Sequence, residues 1–449
     1  MTSSERAGAP PSRPAKKGVR IALLGCGTVG GGVADILLSQ ASAIEELGGA
    51  PYQVVAIAVR TMKKHRSPKI PHHLFCDAAD ALIQDPSIDL IVECIGGIAA
   101  GGRYVEAALR QGKHVVTANK ELLAMHGPEL RALATSHGVS LAYEAAVGGA
   151  IPIVRTIIGS LAGERILEVG GVLNGTTNFI LSEMFAGATY GAALAEAQRR
   201  GFAEADPTSD VAGIDAAHKL AILSQLAFRR AVTTPSIQRR GIEQIVPDDI
   251  TLARRLSLSL KLIACARIPR PGAPLAAAVT PAYVSREHPF AHPTGAQNCI
   301  RVVGRASGSL TFAGTGAGRD PTASAVVGDI IAVLRGITSH HSASLSLAPM
   351  VEIDLDAFTL ARIVRLGEGG DARIAGAALR DAGIPAISLE VPALRTGSLP
   401  LSHDAKIVSA LRDARIEIGS IVPIWDDADD PAQTEEESGP AHQHSTTLA

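Results

Sequence analysis

Residues 19–38, "VRIALLGCGTVGGGVADILL", decide the fold. The run "VRIALL" has the length and apolar content of a short buried strand, and "VADILL" continues after the glycines with apolar residues at helical spacing. Strand, glycine turn and helix follow one another in twenty residues. Gly25, Gly27 and Gly30 occupy the pattern GxGxxG. The first glycine permits the tight turn, the second lets backbone approach a pyrophosphate, and the third lets helix and strand pack closely. The helix N-terminus then offers free N–H groups and the positive end of its dipole to phosphate. Gly25, Gly27, Thr28, Val29 and Gly30 are therefore the expected dinucleotide-binding turn. A glycine turn with a purely structural role is the alternative, which the strand–turn–helix context disfavours.

Working outward, the strand-like runs "QVVAIAVR" (53–60), "IDLIVECIGG" (88–97) and "HVVTANK" (114–120) alternate with helical segments such as "GRYVEAALRQGK", which ends at Gly112. This alternation predicts an α/β fold with a Rossmann-type, doubly wound parallel sheet. After "VSLAYEAAVGGAIPIV" (139–154) the texture changes to longer strands among amphipathic helices, which predicts a second, α+β domain. A second glycine turn opens "GTGAGRDPTASAVVGDIIAVL" (314–334) and leads into a long helix. The expected organisation is a nucleotide-binding domain over 18–150, completed by the helix 314–336, and a substrate-binding and dimerisation domain over 151–313. A small α+β unit over 345–425 follows. The polar termini 1–17 and 426–449 read as unstructured arms.

A chain of 449 residues is long enough for two or three domains and a sizeable cleft. Its net charge of −2 provides no sequence-wide basic surface, so neither nucleic acid nor an anionic membrane is an expected partner. No apolar run reaches the roughly 18 residues of a membrane helix, and the N-terminus lacks a hydrophobic signal core. The cysteines Cys26, Cys76, Cys94, Cys265 and Cys299 are odd in number and scattered, and read as reduced thiols. These features predict a cytoplasmic protein with a small-molecule partner.

The end of the second strand selects the nucleotide. An acidic residue there would bond the ribose 2′-hydroxyl of NAD, but the sequence reads "AVRTMKKHR". Arg60, with Lys63 and Lys64 nearby, suits a 2′-phosphate instead, so NADP(H) is expected in preference to NAD(H); the same basic run also fits a solvated loop.

A dehydrogenase needs a group that exchanges a proton with the substrate oxygen while hydride moves. Lysine serves when burial or a neighbouring charge lowers its pKa from about 10.4. In "GFAEADPTSDVAGIDAAHK" (201–219), Asp215 and Lys219 stand four residues apart without intervening Gly or Pro, so they share a helix face. Their neighbours are small or apolar, which favours the edge of a buried site over an exposed ion pair. His218 points to another face and reads as structural. Asp206 and Asp210 read as residues that shape and cap the helix entry. Lys120, in "VTANKELL", directly follows a predicted parallel strand, and the carboxyl ends of such strands are where ligands bind.

The segments "GCGTVGGGV", "VECIGG", "GKHVVTANKELLA", "YEAAVGGAIPIV", "LNGTTNFIL", "GFAEADPTSDVAGIDAAHKLAIL" and "GAGRDPTASAVVGDI", in this order over residues 19–336, resemble homoserine dehydrogenase. The resemblance implies NAD(P)H-dependent interconversion of L-aspartate 4-semialdehyde and L-homoserine, on the route to threonine, methionine and isoleucine. By position it makes Lys219 the acid/base lysine and Lys120 the second active-site lysine. Glu204 and Asp215 would hold the amino-acid substrate, with Gly201 contributing backbone. Gly316 would touch the cofactor. The resemblance also implies a monovalent cation, usually sodium, held largely by backbone carbonyls at Glu144, Val147, Gly149 and Ile151, and a homodimer formed through the second domain. Many relatives end in an ACT domain, a βαββαβ amino-acid-binding module. Here "LGEGGDARIAGAAL" lacks the usual proline turn, so a degenerate ACT-like unit is expected, with threonine feedback in question. Two rivals stand beside this reading. An aspartate-semialdehyde dehydrogenase would need a cysteine nucleophile. A non-catalytic NADP(H)-binding regulator would have lost one of the lysines or carboxylates.

Overall fold

The computed structural model describes residues 18–425 apart from 65, 270–271, 337–352, 355 and 357. The arms expected at 1–17 and 426–449, and the start of the unit expected at 345–425, lie outside the described residues.

The first sheet contains β1 (Val19–Leu24), β2 (Tyr52–Ala58), β3 (Phe75–Cys76), β4 (Leu90–Glu93), β5 (His114–Thr117) and β6 (Leu141–Ala142). Their order is β3-β2-β1-β4-β5-β6, and every pair is parallel. This is the Rossmann-type doubly wound sheet that the alternation of strands and helices predicts. The two faces of β1 go to different layers because side chains alternate along a strand. Ile21 and Leu23 pack with Val33 and Leu37 of the helix Thr28–Ser39 and with Ala323, Val326 and Ile330 of the helix Arg319–Leu334. Ala22 and Leu24 pack with Val105 and Leu109 of the helix Arg103–Arg110 and with Leu122 and Leu123 of the helix Lys120–Ser136. The late helix thus completes a layer begun by the first one.

Parallel pairing also aligns the strand ends. Leu24 is level with Ala58 and Glu93, and Glu93 with Thr117. The glycine turn, Arg60, Cys94 and Lys120 therefore all leave the sheet at its carboxyl edge, and the strand order reverses between β1 and β4, the position at which such sheets bind ligands.

The second sheet is mixed and has 11 strands. It is built from β7 (Ile166–Val172), β8 (Gln238–Arg239), β9 (Leu258–Arg267), β10 (Ala276–Ser285), β11 (Gln297–Gly304), β12 (Gly308–Thr315), β13 (Thr359–Leu366), β14 (Ala386–Ser388), β15 (Ala393–Thr396), β16 (Leu399–Pro400) and β17 (Ile418–Trp425). The order is β12-β11-β7-β9-β10-β17-β13-β15-β14, with β8 beside β10 and β16 beside β13. The helix Ile214–Phe228 bridges the two sheets. From it, Gln225 accepts a hydrogen bond from Arg131 of the Lys120 helix and donates to the Val232 carbonyl.

The strands of the C-terminal segment continue this second sheet. β17 runs parallel to β10, with Tyr283 opposite Ile424 and Val284 opposite Trp425. Trp425 packs against Phe358 and Phe290 at the join. Within the segment, helices Ala372–Asp381 and Asp404–Asp413 cover one face through Leu379, Ile407 and Leu411.

Candidate active site

The glycine turn has the geometry that the sequence pattern requires. Gly25 has φ 97°, and a Cβ there would meet the Cys94 carbonyl oxygen at 2.8 Å. A Cβ on Gly30 would lie 2.2 Å from the Gly25 carbonyl oxygen, so helix and strand touch backbone to backbone. Gly27 is different: nothing lies within 4 Å of its added Cβ, which leaves space for a ligand to reach the chain. Thr28 and Val29 begin the helix behind it. Arg60 is exposed two residues beyond β2, and Lys63 and Lys64 are exposed as well. Arg66, not singled out by the sequence, lies over the Phe75 ring at 5.1 Å. Its charge and that of Arg319 reach Cys26 in the turn, although burial dominates and pushes that thiol up.

Lys120 opens its helix at the edge of the first sheet. Asn119 caps that helix by accepting the Leu122 N–H at 3.2 Å, and its amide donates to the Gly97 carbonyl at 2.8 Å. Beneath it, Thr117 donates to the buried Glu93 at 2.6 Å, and Glu93 also accepts the N–H groups of Ile95 and Gly96. Two adjacent loops are thereby fixed by one carboxylate.

The structure brings Lys120 to Asp215, 95 residues later. The Asp215 carboxylate takes the Lys120 ammonium on one oxygen, and the other lies 2.8 Å from the Lys219 ammonium. Asp215 is 2% exposed and Lys219 7%. The Lys219 ammonium also donates to the Leu173 carbonyl at 2.7 Å. Asn174 caps the helix Gly175–Ala186, and its amide donates to Asp210 at 2.7 Å and to Asp215 at 2.8 Å.

The three charges perturb one another. Burial opposes the charge on Asp215, yet the Lys219 and Lys120 ammoniums hold its carboxyl below the usual carboxylate range. Lys219 is pushed down from its ordinary value, because burial outweighs its attraction to Asp215. Lys120 is pushed up, chiefly by Asp215. The pKa values of two lysines on one carboxylate are thus driven apart.

The remaining predicted residues divide. Glu204 is exposed on the loop, where its charge adds to those favouring the Lys120 ammonium. Gly201 turns the chain at φ 76°. Asp206 accepts the Thr208 N–H at 3.0 Å and shapes the loop. Asp210, read from sequence as part of that capping, is instead the second acceptor of Asn174 and belongs to the site. Among the 144–151 residues, the Glu144 carboxylate accepts the N–H groups of Val154 and Arg155 and pairs with the Arg155 guanidinium at 2.9 Å. It is therefore already engaged by three donors. Gly148 and Gly149 have φ 74° and 57°, which turns successive peptide groups. Among the described residues no backbone N–H donates to the Val147 or Gly149 carbonyl. Ile151 does have such a donor, the Ile153 N–H. Gly316 is buried against Asn298 and Gly149.

Residues 25–144 match the family model described as homoserine dehydrogenase, NAD binding domain, and residues 152–331 match that of homoserine dehydrogenase. A homoserine dehydrogenase of Bacillus subtilis is 40% identical over 337 residues, which are 75% of this chain and 77% of the relative.

The chain belongs to the homoserine dehydrogenase family.

The crystal structure of a homoserine dehydrogenase from Thiobacillus denitrificans agrees with a TM-score of 0.83 at 34% identity, covering 91% of this chain and 99% of that one. A hyperthermophilic archaeal homoserine dehydrogenase in complex with NADPH agrees at 0.59 and 25% identity, covering 70% of this chain and 97% of its own. As a homoserine dehydrogenase the chain is an oxidoreductase, and both lysines and the carboxylates that a non-catalytic regulator would lose are present. The cysteine-dependent rival fares no better: burial raises the thiols of Cys94 and Cys265, which makes them poor nucleophiles. All five cysteines are free. Among the described residues no helix is long and apolar enough to cross a membrane.

Sequence reading did not find Asn174, Asn119 or Glu93. The signal for the two asparagines was present, since each directly precedes a helix, where Asn is a favoured cap. Their further reach into the site depends on tertiary contacts.

Proposed function

We propose that this homoserine dehydrogenase reversibly reduces L-aspartate 4-semialdehyde to L-homoserine with NADP(H), and that Lys219 is the acid/base. The observation that carries this reading is the buried Asp215 carboxylate shared by Lys219 and Lys120 at the carboxyl edge of the nucleotide-binding sheet. When bound, the nicotinamide supplies or accepts the hydride. In the reductive direction the Lys219 ammonium stabilises negative charge growing on the aldehyde oxygen and donates its proton there. Desolvation makes it a better proton donor than an exposed lysine, while Asp215 and the Leu173 carbonyl fix its direction. In the substrate complex Asp215 and Glu204 take the substrate ammonium, with Gly201 offering backbone. Lys120 supplies a second positive charge.

The open space at Gly27 and the positive-φ turn at Gly25 fit the pyrophosphate, and Arg60 fits a 2′-phosphate. Gly316 lies on the cofactor side. For sodium, the Val147 and Gly149 carbonyls are hard oxygen donors with lone pairs to spare, with the Glu144 and Ile151 carbonyls completing the set. The Glu144 carboxylate, committed to Val154 and Arg155, is not one of the donors. The C-terminal segment is an ACT-like unit joined to the substrate domain: its strand order β17-β13-β15-β14, with two helices on one face, is the split βαβ arrangement. The assembly is a homodimer through the second sheet.

The test is homoserine-dependent reduction of NADP⁺ by the purified chain, followed at 340 nm, with sodium and threonine varied separately. Turnover that requires L-homoserine supports the reading; no turnover with homoserine in either cofactor overturns it.

A further inference from the structure

Asn298 is the second residue of β11 and is 1% exposed. Its amide nitrogen donates to the Leu173 carbonyl at 3.0 Å, the same carbonyl that seats the Lys219 ammonium at 2.7 Å. The last registered pair between β11 and β7 is Cys299 with Val172. The Asn298 side chain therefore carries the tie one residue beyond the ladder and holds Leu173 in place. The bond to a carbonyl also fixes which end of the amide is nitrogen, so the other end is an acceptor. That acceptor, Oδ1, is buried and has no hydrogen-bond partner among the described residues. Native proteins rarely leave such an atom unpaired without a ligand or water to meet it.

The late glycine turn packs against this amide. A Cβ on Gly316 would lie 2.0 Å from the Asn298 amide nitrogen and 2.5 Å from Oδ1. A Cβ on Gly149 would lie 2.6 Å from the Gly316 carbonyl carbon. The late glycine turn therefore presses bare backbone onto the amide, and the helix that follows it packs beside the helix of the dinucleotide turn.

We propose that Asn298 is a cofactor-recognition residue whose Oδ1 accepts a hydrogen bond from the carboxamide N–H of the nicotinamide ring. The inference rests on the reaction proposed above. Hydride moves at C4 of the ring, and the carboxamide is attached to the adjacent C3. When the reacting carbon is about 3–3.5 Å from C4 and its oxygen is held by Lys219, the carboxamide must also lie close to Lys219. Asn298 Oδ1 is one shared carbonyl away from that lysine and has no other donor among the described residues. The substrate ammonium, the other N–H donor, has carboxylates as stronger partners. Asn298 thus ties the rotational setting of the ring to the residue that moves the proton.

The test is calorimetric binding of NADP⁺ and of its 3-acetylpyridine analogue, in which a methyl group replaces the amide NH₂ and the donor is lost. The wild-type chain is expected to prefer NADP⁺ by about 10-fold, the cost of leaving a buried acceptor unpaired. Asn298→Ala is expected to reduce that preference to within about twofold. Adenosine 2′,5′-bisphosphate, which lacks the ring, should bind both proteins equally and reports that the variant is folded. Asn298→Leu, close in shape and without either polar atom, repeats the measurement should the alanine variant fail to fold. A wild-type chain without the preference, or a preference undiminished in a folded variant, overturns the proposal. Failure of the reaction reading is distinguishable, because it appears as absent homoserine turnover while cofactor discrimination is measured without substrate.

Discussion

Among the described residues, the charge clusters around Asp215 and around Arg155 have opposite composition. At Asp215 one carboxylate lies between two lysines; at Arg155 one guanidinium meets two carboxylates, Glu144 and Asp329. In the first cluster the two ammoniums keep Asp215 ionised while burial makes Lys219 a readier acid. The second has an excess of negative charge, and burial pushes the Asp329 carboxyl up to about 7. The Asp329 carboxylate accepts the Glu144 N–H at 2.8 Å, so the second cluster anchors the loop 144–151 to the helix Arg319–Leu334. One cluster suits a reaction in which negative charge develops on substrate. The other suits scaffolding, since it ties that loop to the helix.

That division is broken most directly at Lys219. Lys219→Ala is expected to lower kcat for homoserine oxidation by at least roughly 10²-fold, within the range of general acid/base contributions. The circular dichroism spectrum should stay unchanged, and full activity would remove Lys219 from its role. In the reductive direction the lysine must be protonated, so wild-type kcat/KM should fall as pH rises through its pKa. Since burial lowers that pKa from 10.5, the fall should begin at lower pH than for an exposed lysine. Asp215→Asn removes the charge that favours the ammonium and should move the alkaline limb lower still.

The scaffolding cluster is tested by stability rather than rate. Arg155→Ala leaves two buried carboxylates without their cation. The expected loss is about 2 kcal/mol in urea unfolding, below the usual 3–5 for breaking a buried pair because Arg155 is partly exposed. A stability unchanged within error would show that the two clusters do not differ in the way described.

Lys120→Ala is expected to have a smaller effect than Lys219→Ala, about 10-fold in kcat/KM, since its side chain is 43% exposed and its charge is partly screened. A loss equal to that of Lys219→Ala would mean that the two lysines act as one unit. Arg60→Ala should change least, lowering the preference for NADPH over NADH several-fold, as expected for one exposed charge facing a phosphate. An unchanged preference would assign the basic run after β2 to solvent.

How much of this was legible depends on the range of the contacts. The glycine turn could be read because its three glycines answer local steric demands within a few residues, and the structure gives Gly25 and Gly30 those close approaches. Asp215 and Lys219 could be paired because four residues span one helical turn. The Lys120–Asp215 contact could not, since it joins the first strand layer to a helix of the next, and no local pattern records that. Asp210 looked like a helix cap because caps and ligands use the same side chains; only the approach of Asn174 separates them. The C-terminal segment shows a similar limit. Its helix and strand spacing is local, but its union with the second sheet through β10 and β17 is a matter of register between distant strands.

By itself, then, the sequence determined the alternation of strands and helices in the nucleotide domain, the nucleotide turn and the lysine–aspartate pair on one helix face. These follow from backbone sterics and from hydrophobic periods of two and 3.6 residues, which act over short distances. The tertiary structure alone decided which carboxylate is shared, which lysine loses its water, and which amide is left with an open acceptor. Desolvation and charge coupling depend on what surrounds a group in space, and residues 95 or 125 positions apart supply those surroundings here.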